Sequence, residues 1–421
     1  MDSADAGELV RQSLLVLVMI IAAAKLGGEI LGRFGQPPVL GELLVGVLLG
    51  NLGLFGVTAL EPLRENSMLR IVSEIGAILL LFEVGIESDL GQLLAVGWSS
   101  LLVAVLGVMA PLVLGYYVSL QLMPEASWLT HLFVGGTLTA TSVGITARVL
   151  KDLGKSNTKE ARIVLGAAVA DDVIGLVVMA VVTGLVSAAS ASGGSANVDL
   201  RSILWIIAKA SVFFILAVII GRSWSQRIFL QAARLRVPGV LLGLCVCFCF
   251  VIAAAAAFFG LAPIVGAFAA GVVLDEVHYK PFRERGERKV EELLFPITTL
   301  IVPVFFVMMG FRLDLRTLAS PAVLGHAALI TLVAIIGKQV CGLGVLEKGL
   351  DRLVVGIGMM PRGEVGLIFA GLGSTLVLKG VPILSQAAFS SLVLMVMLTT
   401  FLTPPLLKLA FGRKRYGVAT V

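Results

Sequence analysis

Long apolar stretches alternate with short polar breaks along almost the whole chain. Each stretch is about as long as the 20 or so residues that an α-helix needs to cross a bilayer. The polar breaks are too short to hold a further folded layer. The pattern predicts thirteen helices, near residues 9–33, 38–55, 69–87, 93–122, 128–150, 160–190, 202–227, 237–258, 260–275, 290–311, 322–346, 351–376 and 384–411.

The composition restricts the chain to the membrane-protein class. Of its 421 residues, 58% are hydrophobic and 14% are charged, and the mean hydropathy is +1.02. Soluble domains have a much smaller fraction of apolar residues than this chain. We therefore expect an all-α polytopic membrane protein without a sizeable soluble domain. The sequence contains no nucleotide-binding loop and no metal-ligand spacing, so we expect neither an enzyme nor a bound cofactor.

The distribution of positive charge predicts the orientation of the chain. Lys and Arg are about three times as frequent in one set of alternate loops as in the other. Since cytoplasmic loops are the positive ones, the N-terminus is predicted outside and the C-terminus inside. The net charge of +5 belongs to this pattern, and nucleic-acid binding is not expected.

The chain also repeats itself weakly at a nearly constant offset. Gly46-Val47 and Gly85 recur as Gly271-Val272 and Gly310, in each case 225 residues later. Because this offset corresponds to seven helices, an odd number, the second copy must be inverted. Inverted repeats are typical of secondary transporters. The sequence thus predicts two inverted six-helix repeats joined by a linker helix, 202–227.

Two segments at matching places in the repeats interrupt helices 5 and 12. Residues 135–146 are rich in Gly, Thr and Ser, and residues 360–366 place a Pro, two Gly and two charges inside an apolar run. Unwound backbone at membrane depth must be buried in protein or line a cavity. Its carbonyls, with the hydroxyls of Thr141 and Ser142, are oxygen ligands suited to small cations. The alternative is that the small residues only allow close helix packing.

Adjacent carboxylates in helix 6, Asp171 and Asp172, are the strongest functional signal. Each costs about 2.5–3.5 kcal/mol at the centre of a membrane helix. Neighbours on a helix point about 100° apart, so the two should have different partners. Burial and nearby charge can tune such a pair to bind either a proton or a metal cation.

Other charged residues lie within predicted helices. Lys338 in helix 11 requires a carboxylate partner, for which Asp171 and Asp172 are both candidates. Arg362 and Glu364 lie two residues apart in the interrupted helix 12, where they could pair locally or reach helix 5. Glu83 is a further intramembrane acid that could support the site.

Together these segments resemble the bacterial cation:proton antiporter-2 family, in particular its Na⁺/H⁺ antiporters with thirteen transmembrane helices. The resemblance runs from about residue 10 to 411. Its motifs are Ala170-Asp171-Asp172, Thr139-Ala-Thr141-Ser142-Val-Gly144-Ile, Gly337-Lys338 and Pro361-Arg-Gly-Glu364-Val-Gly366.

The resemblance implies an architecture. Helices 1–3 and 8–10 would form a dimer domain, residues 1–92 and 237–311, in a homodimer surrounded by lipid in the bacterial inner membrane. Helices 4–6 and 11–13 would form an ion-carrying core, residues 93–190 and 322–411, in which helices 5 and 12 cross as broken pairs.

The resemblance also implies roles for the charged residues. Asp172 matches the residue that binds the cation, and Asp171 the residue that pairs with Lys338. Asp at position 171 with Lys338 is similar to the electrogenic type, which exchanges two protons for one Na⁺. The partners implied are therefore H⁺ and Na⁺, or K⁺ or Li⁺ in its place. A K⁺/H⁺ antiporter or gated K⁺ efflux protein of the same fold is the main alternative, followed by a channel and a proton-coupled carrier of organic anions.

Overall fold

The computed structural model describes residues 3–57, 60, 66–87, 97–191, 205, 208–209, 212–213, 215–217, 219, 221, 227–235, 237–274, 279–318 and 320–413. Twelve of the thirteen predicted segments are helical within these ranges. The linker helix predicted at 202–227 lies largely outside the described residues. Seven of the described helices are long and apolar enough to cross a bilayer, so the chain is a multi-pass membrane protein.

The helices are as follows. They are α1 (Ser3–Arg33), α2 (Pro38–Gly50), α3 (Ser67–Glu87), α4 (Trp98–Leu122), α5 (Trp128–Thr137), α6 (Val143–Asp152), α7 (Lys159–Ala191), α8 (Val240–Phe258), α9 (Pro263–Val273), α10 (Lys280–Arg283), α11 (Val290–Phe311), α12 (Leu315–Leu318), α13 (Pro321–Val340), α14 (Arg352–Gly358), α15 (Glu364–Thr375) and α16 (Gln386–Arg413). A two-stranded antiparallel hairpin, β1 (Val377–Leu378) and β2 (Val381–Pro382), follows α15.

The chain divides into two compact units. Unit 1 comprises Met1–Asp89 and Thr183–Leu315, and unit 2 comprises Leu90–Val182 and Arg316–Val421. Each unit is therefore built from two separate stretches of chain. Helices α1 to α3 and α8 to α11 belong to unit 1, whereas α4 to α6, most of α7, most of α12 and α13 to α16 belong to unit 2.

Glycines allow the helices of unit 1 to approach closely. A Cβ added to Gly46 of α2 would lie 2.1 Å from the Val307 carbonyl oxygen of α11, and one added to Gly85 of α3 would lie 2.4 Å from the Phe268 carbonyl oxygen of α9. On the partner helix of the first contact, Gly310 of α11 lies against α2. On the partner helix of the second contact, Gly271 of α9 lies against α3. Only residues without a Cβ let the backbones meet at these distances.

These contacts match the repeat seen in the sequence. Gly46 and Gly271 are one pair of equivalent positions, and Gly85 and Gly310 are the other. A twofold rotation that exchanged the two copies would turn the α2–α11 contact into the α9–α3 contact. The same residues therefore account for both the sequence repeat and the packing of unit 1.

The ends of two predicted helices are corrected by the structure. The helix predicted at 38–55 ends at Gly50, and a 3-10 turn, Leu52–Phe55, follows. Asn51 directly follows the helix. Its side chain donates from Nδ2 to the Leu313 carbonyl oxygen at 2.8 Å and accepts at Oδ1 from the Leu315 amide at 2.9 Å. The helix predicted at 322–346 ends at Val340 and continues as a 3-10 turn, Cys341–Gly344.

We expect Gly310→Ala to destabilise the protein strongly. The new methyl group would lie 2.1 Å from the Leu43 carbonyl oxygen, so α2 and α11 must separate. Overpacking of this kind costs about 1–3 kcal/mol or more. The melting temperature of the purified protein in detergent should fall, whereas Gly325→Ala, where nothing lies within 4 Å, should leave it unchanged or raise it slightly. Equal melting temperatures for the two variants would contradict the close approach.

Candidate functional site

The helix predicted at 128–150 is interrupted in unit 2. Helix α5 ends at Thr137 and α6 begins at Val143, which leaves residues 138–142, here called the first break, outside both half-helices. Side-chain hydroxyl groups compete here with the helical ladder. Thr139 Oγ1 donates to the Gly136 carbonyl oxygen at 2.7 Å. Thr141 and Ser142 are both buried in the break.

The helix predicted at 351–376 is also interrupted. Helix α14 ends at Gly358 and α15 begins at Glu364, and residues 359–363 between them are here called the second break. Pro361 lacks the amide proton that a continuous helix would need, and its ring disfavours a helical conformation for the residue before it. Asp351 caps the start of α14 by accepting from the amides of Leu353 and Val354.

The two breaks cross and are bonded to each other. The Ser142 amide donates to the Pro361 carbonyl oxygen at 2.9 Å. Thr146 Oγ1 donates to the Gly358 carbonyl oxygen at 2.6 Å, and Thr141 Oγ1 lies 3.4 Å from the Met359 carbonyl oxygen. The crossing predicted for helices 5 and 12 is therefore present. In this crossing, carbonyl oxygens of the second break accept hydrogen bonds from the protein's own amide and hydroxyl groups.

A glycine permits this crossing. A Cβ added to Gly363 would lie 2.6 Å from Ser142 Oγ and 2.7 Å from Ser142 Cβ. A larger residue at position 363 would push the breaks apart at the point where they bond.

A fully buried ion pair lies in the interior of unit 2. Lys338 Nζ of α13 donates to Asp171 Oδ1 of α7 at 2.9 Å, and both side chains are fully buried, at 0% exposure. A buried charge is stable only when it is paired. Asp171 Oδ2 has no hydrogen-bond partner among the described residues, so the carboxylate keeps an acceptor oxygen in the interior.

Close packing keeps water away from this pair. A Cβ added to Gly107 of α4 would lie 3.3 Å from Asp171 Oδ1 and 3.4 Å from Lys338 Nζ. One added to Gly337 would lie 3.0 Å from the Pro111 Cα of α4. Small residues thus bring α4 and α13 together over the ion pair.

Asp172 lies beside the pair on α7 and is 8% exposed. It points about 100° away from Asp171 around the helix. Gly175, one turn further along the same side, faces the first break, since a Cβ there would lie 3.5 Å from Thr139 Oγ1. Asp172 is therefore on the part of α7 that adjoins the first break.

Arg362 adds a second buried cation to unit 2. Its side chain is 0% exposed, and it interacts electrostatically with Asp171. Nη2 lies 3.4 Å from the Ala334 carbonyl oxygen, and Nε and Nη1 have no hydrogen-bond partner among the described residues. The interior of unit 2 thus contains two basic groups, Lys338 and Arg362, beside the adjacent carboxylates Asp171 and Asp172.

The transmembrane sodium/hydrogen exchanger family model matches residues 16–410. The chain belongs to this family. It is 37% identical to the high-affinity Na⁺/H⁺ antiporter NhaS3 of Synechocystis sp., over 96% of the chain and 90% of the relative. It is 35% identical to the Na⁺/H⁺-K⁺ antiporter GerN of Bacillus cereus, over 94% and 96% of the two chains.

A solved structure shares the fold of this exchanger-family chain. The sodium proton antiporter MjNhaP1 of Methanocaldococcus jannaschii superposes with a TM-score of 0.72, over 96% of this chain and 99% of that one. Its sequence identity is 14%, so this likeness concerns the fold alone.

The predicted site residues of this family member fall into separate groups. Unit 2 contains Asp171, Asp172, Lys338, Arg362 and both breaks with Thr141 and Ser142. Glu364 is the first residue of α15, and its side chain lies outside the described residues, so a pair with Arg362 stays a prediction. Glu83 belongs to α3 of unit 1, and its supporting role also stays a prediction.

Sequence reasoning missed several groups that shape the site. Gly107 gives no signal in an apolar helix that is already rich in small residues. Thr146 lies at the end of the Gly, Thr and Ser run, but its bond to Gly358 depends on the crossing. Thr400 of α16 donates through Oγ1 to the Arg362 carbonyl oxygen in the second break. The cluster of hydroxyl groups at Thr399, Thr400 and Thr403 in an apolar helix could have drawn attention to it.

Proposed function

We propose that this chain is a secondary-active Na⁺/H⁺ antiporter that exchanges a monovalent cation for protons by alternating access. The observation that carries the proposal is Asp172, which lies on α7 next to a fully buried Asp171–Lys338 pair and beside the crossed breaks. Buried carboxylates at such a place can exchange a proton for a cation. The names of the relatives support Na⁺ and H⁺ as the exchanged ions. Transport of this kind changes no covalent bond, so the chain is proposed not to be an enzyme.

The cation site in this proposal is built from oxygen atoms. The Asp172 carboxylate supplies the charge, and the backbone carbonyls of the first break supply neutral ligands, together with the hydroxyls of Thr141 and Ser142. Thr141 Oγ1 directs its proton towards the Met359 carbonyl oxygen, which leaves its lone pairs for a cation. Carbonyls of the second break already accept hydrogen bonds from Ser142 and Thr400, and the Gly358 carbonyl just before it accepts one from Thr146. In this proposal the second break therefore holds the first break in place and does not bind the cation.

Protons and the cation compete for this site. With Asp172 protonated the cation has no counter-charge, and with the cation bound the proton must leave. We propose that cation entry also weakens the Asp171–Lys338 pair, so that Lys338 releases a second proton. The titrations are coupled and belong to the cluster rather than to single residues. Exchange of two protons for one Na⁺ would move net charge.

The division into two units supports an alternating-access motion. We propose that unit 2 carries the ion and that unit 1 holds two copies together as a homodimer. The N-terminus is proposed outside and the C-terminus inside, in the bacterial inner membrane, with lipid around both units.

The test is Na⁺-driven proton movement by the purified protein in liposomes that contain a pH-sensitive dye. The vesicles have an acidic interior, and Na⁺ is added to the outside. We expect the internal pH to rise, and we expect no change when choline replaces Na⁺. Because the name of GerN includes K⁺, a K⁺ jump is run beside it. A response to K⁺ alone would favour the K⁺/H⁺ alternative, and no response to either cation would contradict antiport.

A further inference from the structure

The carbonyl groups of the second break need donors from outside their own helix. The first intrahelical bond of α15 runs from the Leu367 amide to the Gly363 carbonyl oxygen, so the Arg362 carbonyl precedes the helical ladder. Arg362 is 0% exposed, and no bulk water reaches it. A buried carbonyl without a donor is costly.

Thr400 supplies that donor. Its side chain is 0% exposed, and Oγ1 donates to the Arg362 carbonyl oxygen from the neighbouring helix α16. The two neighbouring threonines of this helix act differently. Thr399 Oγ1 donates to the Met395 carbonyl oxygen at 2.9 Å and Thr403 Oγ1 to the Thr399 carbonyl oxygen at 2.7 Å, both within α16.

The Thr400 bond is linked directly to the proposed cation ligands. Arg362 follows Pro361, whose carbonyl oxygen accepts from the Ser142 amide at 2.9 Å. Gly363, on the other side of Arg362, packs against Ser142 Oγ and Cβ. A shift of the Arg362 peptide group would therefore move Ser142 and the end of the first break.

We propose that Thr400 is a positioning residue for cation binding. It fixes the second break by its hydroxyl group, and through Pro361 and Gly363 it fixes the position of Ser142, one of the proposed cation ligands. This inference rests on the proposed antiport function, and it adds a residue of α16 to the site.

The test compares three variants in the liposome exchange assay. Thr400→Val keeps the branched shape and removes the hydroxyl group, and it should raise the KM for Na⁺ about tenfold, the range expected when a buried carbonyl loses its donor. The maximal rate should change much less than KM, because the loss affects cation binding. Thr400→Ser keeps the hydroxyl group and should restore KM to within about twofold of wild type.

Thr403→Val is the matched control. The Thr403 hydroxyl bonds to a carbonyl of its own helix, which the helical ladder already satisfies, so KM should stay at the wild-type value. Thr400→Ala repeats the test with less bulk. A wild-type KM for Thr400→Val would overturn the proposal, and so would a raised KM that serine does not restore. Failure of both Thr400→Val and Thr400→Ala to fold, with Thr403→Val folded, would make Thr400 a purely structural residue and overturn it as well.

A second measurement separates this inference from the proposed function. Na⁺ that binds the folded protein raises its melting temperature in a concentration-dependent way, whether or not protons move. Thr400→Val should need about tenfold more Na⁺ for the same shift. If the wild-type protein moves no protons but still shows this difference, antiport fails and the role of Thr400 stands.

Discussion

Asp172→Asn is expected to reduce Na⁺-driven proton movement to below about 1% of the wild-type rate. Asparagine keeps the shape of the side chain but can neither carry the exchanged proton nor supply the negative charge that the cation needs. Loss of the counter-charge for a buried cation costs about 3 kcal/mol or more, which corresponds to at least about a hundredfold loss of binding. The measurement is the initial rate of internal pH change after a Na⁺ jump in liposomes.

Glu125→Gln serves as the control for this experiment. Glu125 is an exposed carboxylate between α4 and α5, so its neutralisation should leave exchange at the wild-type rate. Circular dichroism and gel filtration should show that both variants fold like the wild type. If Asp172→Asn exchanged at more than half of the wild-type rate, the proton and the cation would be using another group.

Lys338→Gln is expected to change both stability and the charge moved in each cycle. The substitution leaves the Asp171 carboxylate buried without its partner, which should lower the free energy of unfolding by about 3–5 kcal/mol. It also removes the proposed carrier of the second proton. Exchange that persists should therefore move one proton for one Na⁺ and no net charge.

The double variant Asp171→Asn with Lys338→Gln separates the two effects. Both members of the pair are then neutral and can hydrogen-bond, so the unpaired charge that Lys338→Gln leaves at Asp171 is removed and the melting temperature should rise above that of the single variant. Exchange should remain electroneutral. Wild-type net charge movement in either variant would show that the second proton does not travel on Lys338.

Much of this architecture can be predicted from the sequence because the membrane imposes strong patterns. Both breaks are visible as groups of small and polar residues inside apolar runs. The repeat is visible because the glycines at 46, 85, 271 and 310 serve equivalent backbone contacts. The carboxylates at 171 and 172 stand out because charge is rare at this depth.

The partners of the charged groups cannot be predicted in the same way. Asp171 and Asp172 are equally plausible partners for Lys338 along the sequence, and only the rotation of α7 against α13 brings Asp171 to 2.9 Å. Glu83 resembles the other intramembrane acids in sequence, yet it belongs to unit 1. Thr400 looks like any helical threonine until the carbonyl of Arg362 is placed next to it. Such pairings depend on side-chain direction across tertiary contacts, which a periodic pattern does not contain.

We propose that Asp172 and the Asp171–Lys338 pair together exchange two protons for one Na⁺. The decisive experiment records membrane current and internal pH together, on liposomes that contain the wild-type protein, after a Na⁺ jump and then a K⁺ jump. We expect Na⁺ to drive proton movement with net transfer of charge and K⁺ to produce neither signal. Proton movement without current, or a response to K⁺ with none to Na⁺, would show that this exchange does not take place as proposed.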